Sequence, residues 1–102
     1  GGIQALEITF TMPKALRQLE QLADQVGDSM VIGAGTILDP ETARAALLAG
    51  AQFIVSPTTD PKTIEMTRRY DKLSFPGAFT PTEILTAWQA GADVVKIFPS
   101  DF

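Results

Sequence analysis

Residues 30–50 read MVIGAGTILDPETARAALLAG, and this stretch decides the fold. A short apolar run ends in a glycine-rich turn, and Asp39 and Pro40 then form the pair that is typical of a helix N-cap and its first turn. Alanines and leucines follow at helical spacing until Gly50, a residue type that favours helix ends. The stretch therefore predicts a strand, a tight turn and a helix.

The same unit recurs along the chain, with the apolar runs about 20 to 26 residues apart, which suits a strand, a helix and two short turns. Four helical patterns lie between the runs, and they begin at Met12-Pro13, Asp39-Pro40, Asp60-Pro61 and Thr80-Pro81. The runs are continuously apolar and do not alternate, as is typical of parallel strands that are covered on both faces. We expect an α/β chain with five strands: Ile3–Phe10, Met30–Gly35, Gln52–Ser56, Leu73–Phe79 and Asp93–Phe98.

Two architectures fit this alternation, a doubly wound open sheet and part of a (β/α)₈ barrel. No G-x-G-x-x-G turn follows the first run, and the regular period favours the barrel. A closed barrel needs roughly 200 residues or more, and five strands alone leave two open edges. We therefore expect residues 1–102 to be a single segment of a larger barrel, or a longer chain with parts missing. The start Gly1-Gly2-Ile3 suggests that the native beginning is absent.

The composition excludes several kinds of chemistry. The chain has no His and no Cys, so Ser-His-Asp and Cys-His catalysis, disulfides and imidazole or thiolate metal sites are excluded. The net charge of −4 argues against nucleic acid as a partner, and no apolar run reaches the roughly 18 residues of a membrane span. We expect a cytoplasmic protein without membrane or nucleic-acid partners. Any general acid or base must be a carboxyl group, Lys, Tyr or a water held by one of them.

Lys96 is a charged residue inside the apolar run 93–99. With a period of two, Lys96 shares one face of the strand with Val94, whereas Val95 and Ile97 share the other. Because the bulky pair suits the helix side, Lys96 is expected to point into the barrel, away from water. Burial favours a neutral amine, which can attack a carbonyl and form a Schiff base. The alternative is a lysine on an exposed edge strand, or one paired with a carboxylate.

Glu7 is the second unusual residue, since Leu6 and Ile8 would face the helices and leave Glu7 pointing inward. The carboxylate could then form a structural ion pair with Lys96, or act as a base beside an imine.

Glycine, threonine and proline residues lie at or just after the ends of the predicted strands: Gly35, Thr36, Pro57 and Thr80. Barrel active sites are built at these carboxyl ends of strands, although tight packing and ordinary loop chemistry also explain such residues. Trp88 lies on a helical stripe and is expected in the core.

These pieces together resemble the 2-keto-3-deoxy-6-phosphogluconate aldolase family, which includes 4-hydroxy-2-oxoglutarate and phosphogalactonate aldolases. They occur in the family's order across essentially all of the chain: Leu6-Glu7-Ile8-Thr9, Ile32-Gly33-Ala34-Gly35-Thr36, Ile54-Val55-Ser56-Pro57, Phe75-Pro76-Gly77, Thr80-Pro81-Thr82-Glu83 and Lys96-Ile97-Phe98-Pro99.

The resemblance implies a class I lyase on a (β/α)₈ TIM barrel, usually trimeric, of which this chain covers the second to the sixth strand. It implies that Lys96 forms a Schiff base with a keto acid and that Glu7 moves protons, with no cofactor or metal. The reaction would cleave 2-dehydro-3-deoxy-6-phosphogluconate to pyruvate and glyceraldehyde 3-phosphate. The substrate-binding residues that we expect are Thr36, Pro57, Phe98, Thr11, Gly35 and Thr80.

Three features depart from the family's pattern: Thr11 stands where many members carry Arg, an Arg that usually lies on the first barrel strand is absent, and so are the glycines and the Ser of the last two strands that form the family's phosphate site. Two further interpretations stay open. One is a non-catalytic barrel fragment whose open edges drive self-assembly into a scaffold, and the other is a different phosphate-binding barrel, such as an isomerase.

Overall fold

Strands and helices alternate along the whole of the computed structural model, which describes residues 4–11 and 13–97. The elements are β1 (Ala5–Thr9), α1 (Ala15–Val26), β2 (Val31–Gly35), α2 (Pro40–Leu48), β3 (Phe53–Ser56), α3 (Pro61–Arg69), β4 (Leu73–Ala78), α4 (Pro81–Ala90) and β5 (Lys96–Ile97).

The described strands form one parallel sheet whose order, β1-β2-β3-β4-β5, is the order of the chain. A doubly wound sheet reverses its strand order at a switch point. An unreversed order, with the right-handed crossovers that parallel strands adopt, places all the helices on one face, as in a (β/α)₈ barrel. The predicted barrel segment is therefore confirmed, and the doubly wound alternative is wrong.

The helices begin where side chains satisfy the unpaired N–H groups of the first turn. The carboxylates of Asp39 and Asp60 cap α2 and α3, and the hydroxyl of Thr80 caps α4. Each of these helices also has a proline in its first turn, as the sequence predicts. In contrast, α1 follows Lys14, whose side chain makes no capping hydrogen bond.

The core lies between the helices and one face of the sheet. Its main cluster joins Leu19 of α1 to Ile32 of β2 and Ile54 of β3, with alanines and Leu47 of α2 between them. A smaller cluster around Ile64 of α3 packs beneath α4. Because apolar burial is concentrated on this side, the other face of the sheet is available for polar side chains.

Two expectations about burial are wrong. Strands β1 and β5 are largely exposed, whereas β2, β3 and β4 are largely buried, because β1 and β5 are the edges of the described sheet. Trp88 was expected in the core, yet its side chain is 51% exposed on α4. In the part of the chain that the structure describes, no helix combines the length and the apolar character that crossing a bilayer needs.

The side-chain cap of α2 should make the stability of the fold depend on pH in the acid range. The N–H of Thr42 donates to Asp39 Oδ1 at 2.7 Å and the Thr42 hydroxyl donates to Oδ2 at 2.8 Å. These bonds, the backbone one foremost, lower the pKa of Asp39. A lowered pKa in the folded state means that the stabilisation is complete above the ordinary pKa of Asp, about 4, and is lost as the pH falls through the lowered value.

We therefore expect Asp39→Ala to lower the free energy of unfolding by about 1 kcal/mol at pH 7, and by progressively less as the pH falls below ~4. Asp39→Asn keeps an acceptor for the Thr42 N–H and should lie close to the parent at pH 7. Urea unfolding as a function of pH measures both. An Asp39→Ala deficit that is independent of pH would contradict a cap made by the ionised carboxylate.

Candidate active site

A cavity of about 430 Å³ lies on the face of the sheet that points away from the helices. It brings together an amine and a carboxylate from the two edge strands, β5 and β1. A larger hollow of about 870 Å³ lies beside α1, but its walls are mainly helix-surface side chains such as Arg17, Glu20 and Asp24. Convergent chemistry, rather than size, makes the smaller cavity the candidate site. Its lining consists of Glu7, Phe53, Val55, Phe75, Val94 and Lys96.

Lys96 lies in β5 opposite Gly77 of β4. Val94 and Lys96 both line the cavity, whereas Val95 packs against the apolar cluster beneath α4. The predicted alternation is therefore confirmed for these three residues. Ile97 was expected against the helices but is 64% exposed, because it lies at the sheet edge.

The expected withdrawal of Lys96 from water is wrong in this chain, since its side chain is exposed. The reason is topological. Strand β5 pairs with β4 on one side and forms the open edge of the described sheet on the other. A lysine on an inner strand of a closed barrel would be covered from both sides.

Glu7 has the orientation that the alternation predicts. Its neighbour Ile8 packs against the main core, and Glu7 itself lines the cavity. Like Lys96, it is exposed because β1 is an edge strand.

The glycines of β2 make room for this arrangement. A Cβ at Gly35 would overlap the carboxylate of Glu7, and a Cβ at Gly33 would overlap the ring of Phe53. Glycine is the residue that permits such a close approach. Gly33 therefore serves aromatic packing, whereas Gly35 leaves the space across which the Glu7 side chain lies.

Thr36 follows β2 with a φ of 58°. A β-branched residue in the left-handed region is a conformational outlier, and such strain is concentrated at functional sites. The N–H of Ile37 donates to the carbonyl of Val55 at 3.2 Å, which ties this loop to β3. Half-buried Pro57 follows β3, so Thr36 and Pro57 both lie just beyond the carboxyl ends of adjacent strands.

Thr80 has a structural role that the sequence also indicates. Its hydroxyl accepts the N–H of Glu83 at 3.1 Å, and the Glu83 carboxylate accepts the N–H groups of Thr80 and Phe79 at 3.1 and 2.9 Å. This capping box begins α4. Thr11 is exposed in the turn after β1, and Phe98 lies outside the described residues. The ligand-binding roles of these residues stay predictions.

Residues that the sequence interpretation missed form the apolar wall of the cavity. The rings of Phe53 and Phe75 lie with their centroids 5.7 Å apart, at a tilt of 32°. Phe53 and Val55 are two positions apart in β3, and Val55 pairs with Phe75 in β4. The same period-two count that places Lys96 could have found this wall.

This arrangement suits carbonyl chemistry. An amine beside an apolar wall can condense with a ketone, and a carboxylate on the far side can move protons to and from the adduct. Over residues 4–11 and 13–97, no group of three or more carboxylates is placed to hold a metal ion.

Parallel strands in chain order, with this amine and carboxylate on the face away from the helices, match a segment of a (β/α)₈-barrel protein. A family model described as "Aldolase: KDPG and KHG aldolase" matches residues 1–102, and the chain belongs to this family of aldolases.

Three relatives illustrate the similarity. The chain is 39% identical over 99 residues to the 2-dehydro-3-deoxy-6-phosphogalactonate aldolase of Escherichia coli K12, covering 97% of this chain and 48% of that protein. It resembles the native KDPGal structure with a TM-score of 0.89 at 39% identity, covering 98% of this chain and 48% of the other.

The third is the KDPG aldolase of Legionella pneumophila with pyruvate captured as a covalent carbinolamine intermediate. Its TM-score is 0.81 at 29% identity, covering 90% of this chain and 44% of the other. The chain thus spans about half the length of the curated relatives that it matches.

Proposed function

We propose that this chain is the central segment of a class I aldolase, in which Lys96 forms a Schiff base with a 2-keto-3-deoxy sugar acid. The observation that carries the proposal is the cavity shared by Lys96 and Glu7 on the inner face of the sheet. The Legionella relative, which holds pyruvate as a carbinolamine, supports the same chemistry.

In the proposed reaction, the amine of Lys96 attacks the C2 ketone of the substrate, and loss of water gives a protonated imine. The C4 hydroxyl gives its proton to water, the C3–C4 bond breaks, and its electron pair passes to the imine to leave an enamine and a free aldehyde. Protonation of C3 and hydrolysis of the imine then release pyruvate and return the amine. The imine is the electron sink, so these steps need no redox change.

Glu7 supplies the carboxylate among the residues that line the cavity. We assign it to proton transfer, through water, during carbinolamine breakdown and at the enamine carbon. Its side chain lies over Gly35 on the same face as Lys96, which supports this role. A positioned acid or base usually contributes about 10²- to 10⁴-fold to such steps.

The substrate that we propose is 2-dehydro-3-deoxy-6-phosphogluconate, cleaved to pyruvate and glyceraldehyde 3-phosphate. The phosphogalactonate and 4-hydroxy-2-oxoglutarate compounds share its C2 ketone, C3 methylene and C4 hydroxyl, and these are the atoms that the proposed steps use. The residues proposed to bind substrate are Thr36, Pro57, Phe98, Thr11, Gly35 and Thr80.

Release of pyruvate from each of the three compounds tests the assignment. We expect measurable cleavage with the phosphogluconate compound at the highest kcat/KM. Cleavage of only one of the other two would overturn the substrate choice but keep the lyase. No cleavage of any of them by the full-length protein would overturn the lyase itself.

We also propose that the protein is a homotrimer and that it is cytoplasmic. The exposed apolar side chains of Leu85 and Trp88 on α4 support burial against a further surface.

The two open sheet edges favour a second candidate, a non-catalytic scaffold that self-associates through β1 and β5. A defined oligomer that binds no keto acid would favour the scaffold. A defined oligomer that also forms a pyruvate adduct would favour the aldolase.

Gly35 provides a test of the Glu7 assignment. We expect Gly35→Ala to displace the Glu7 carboxylate and to slow deuterium exchange at the pyruvate methyl group by about tenfold or more, since misplacing a reacting group by about 1 Å can cost 10²-fold. The stability should change less, because the exposed Glu7 side chain can rotate away.

The matched control places Gly35→Ala in a Glu7→Ala background, where the overlap is gone. There the added methyl group should cost little further exchange activity. An equal loss in both backgrounds would show that Gly35 acts through something other than Glu7.

A further inference from the structure

The segment before β5 is held by an unusual set of hydrogen bonds to one residue of β4. The carbonyl of Ser74 accepts the N–H groups of Asp93 and Val94 at 3.0 and 3.3 Å. In the opposite direction, the N–H of Ser74 donates to Asp93 Oδ2 at 2.9 Å. The Asp93 carboxylate thus takes the place of a backbone carbonyl in the ladder between the two strands.

This contact matters because few residues of β5 are paired within the part of the chain that the structure describes. Up to residue 97, where the description ends, the paired residues are Lys96 and Ile97, opposite Gly77 and Ala78 of β4, at the edge of the described sheet. Two paired residues fix the direction and register of an edge strand only weakly. The bonds at Ser74 fix the chain three residues before Lys96, on a residue that is itself only 1% exposed.

We propose that Asp93 is a positioning residue for Lys96. By accepting the Ser74 N–H, its carboxylate completes the hydrogen bonding between β4 and the segment before β5. This sets the register of β5 and directs the Lys96 side chain into the cavity across from Glu7. Asp93 does not line that cavity, so it acts through the backbone and not on substrate. The catalytic part of this proposal rests on the proposed function, whereas the register itself does not.

The ion pair of Asp93 with Arg68 is a secondary contact. The Arg68 guanidinium lies 3.5 Å from Asp93 Oδ1, and the two side chains are 52% and 25% exposed. Exposed ion pairs of this kind contribute little to the free energy of folding. Of the two side-chain contacts of Asp93, the hydrogen bond from the buried Ser74 N–H is therefore the one that adds to the backbone bonds in holding the segment, and mutation can separate it from the ion pair.

The test compares Asp93→Ala, Asp93→Asn and Arg68→Gln in the full chain, with Asp24→Ala on the surface of α1 as the control. Amide hydrogen exchange at Lys96, whose N–H faces β4 in the pairing with Gly77, reports the register. The rate of borohydride trapping, and its dependence on the pyruvate concentration, report whether the Lys96 amine is placed to condense with the keto acid.

We expect Asp93→Ala to raise the exchange rate of the Lys96 amide at least about tenfold and to lower the maximal trapping rate about 10- to 100-fold, with a smaller change in half-saturation by pyruvate. Asp93→Asn retains an acceptor for the Ser74 N–H and should restore both readouts. Arg68→Gln and Asp24→Ala should match the parent.

Unchanged protection of the Lys96 amide in a folded Asp93→Ala variant would overturn the inference. If Asp93→Ala does not fold, the other variants decide: loss of protection in Arg68→Gln, or in Asp93→Asn, would show that charge pairing holds the segment. Should the parent itself trap no pyruvate, the proposed function fails, and the amide exchange alone still confirms or refutes the role of Asp93 in the register.

Discussion

Replacing Lys96 with Met is expected to lower the release of pyruvate from 2-dehydro-3-deoxy-6-phosphogluconate by ~10³-fold or more, as removal of a covalent nucleophile does in other enzymes. Methionine keeps an unbranched side chain of similar length in β5, so the strand and the apolar wall beside it should persist. What is lost is the amine that condenses with the ketone. The initial rate of pyruvate formation under saturating substrate measures the effect.

Lys62→Met is the matched control, since Lys62 is exposed on α3 and does not line the cavity. It should retain the parent rate, and both variants should retain the parent helix content by circular dichroism. A folded Lys96→Met variant that kept more than about a tenth of the parent rate would exclude Lys96 as the Schiff-base residue.

Replacing Glu7 with Gln is expected to slow deuterium exchange at the methyl group of pyruvate by at least tenfold, within the ~10²- to 10⁴-fold range of a positioned acid or base. The amide keeps the shape of the side chain over Gly35 but cannot carry the proton between the enamine carbon and water. Nuclear magnetic resonance of pyruvate in D₂O follows the exchange directly.

Glu65→Gln, on the exposed face of α3, removes the same charge without touching the cavity and should exchange at the parent rate. An unchanged rate in Glu7→Gln would remove Glu7 from the mechanism. Slowed exchange with unaltered borohydride trapping would place Glu7 after imine formation, at the enamine carbon.

The strand order could be predicted from the sequence because each unit contains its own signals. Asp39, Asp60 and Thr80 begin helices in front of a proline, and these local signals do not depend on distant contacts. A regular period of such units favours consecutive parallel strands, and this is the order that the sheet has.

The face of the sheet on which Glu7 and Lys96 lie could also be predicted, since the alternation of side chains in a strand is a local property. Val95 and Ile8 pack on the helix side, and their polar neighbours line the cavity. Exposure could not be predicted in the same way, because it depends on which strands flank a residue. Lys96 is exposed at an edge although its sequence context is apolar.

The start of β5 illustrates a second limit. The apolar run predicts a strand that begins at residue 93, whereas the paired strand begins at Lys96. The side chain of Asp93 accepts a hydrogen bond from the Ser74 N–H. This part of the run is therefore held by a contact that periodicity cannot reveal. Hydrogen bonds from side chain to backbone between distant residues are the information that the pattern lacks.

The most direct measurement for the central claim is borohydride reduction of the chain in the presence of pyruvate, followed by peptide mapping with mass spectrometry. We expect one reduced pyruvyl group per chain, attached to Lys96 and absent when pyruvate is omitted. A label on Lys14, Lys62 or Lys72 instead, or no label on a folded chain, would contradict it.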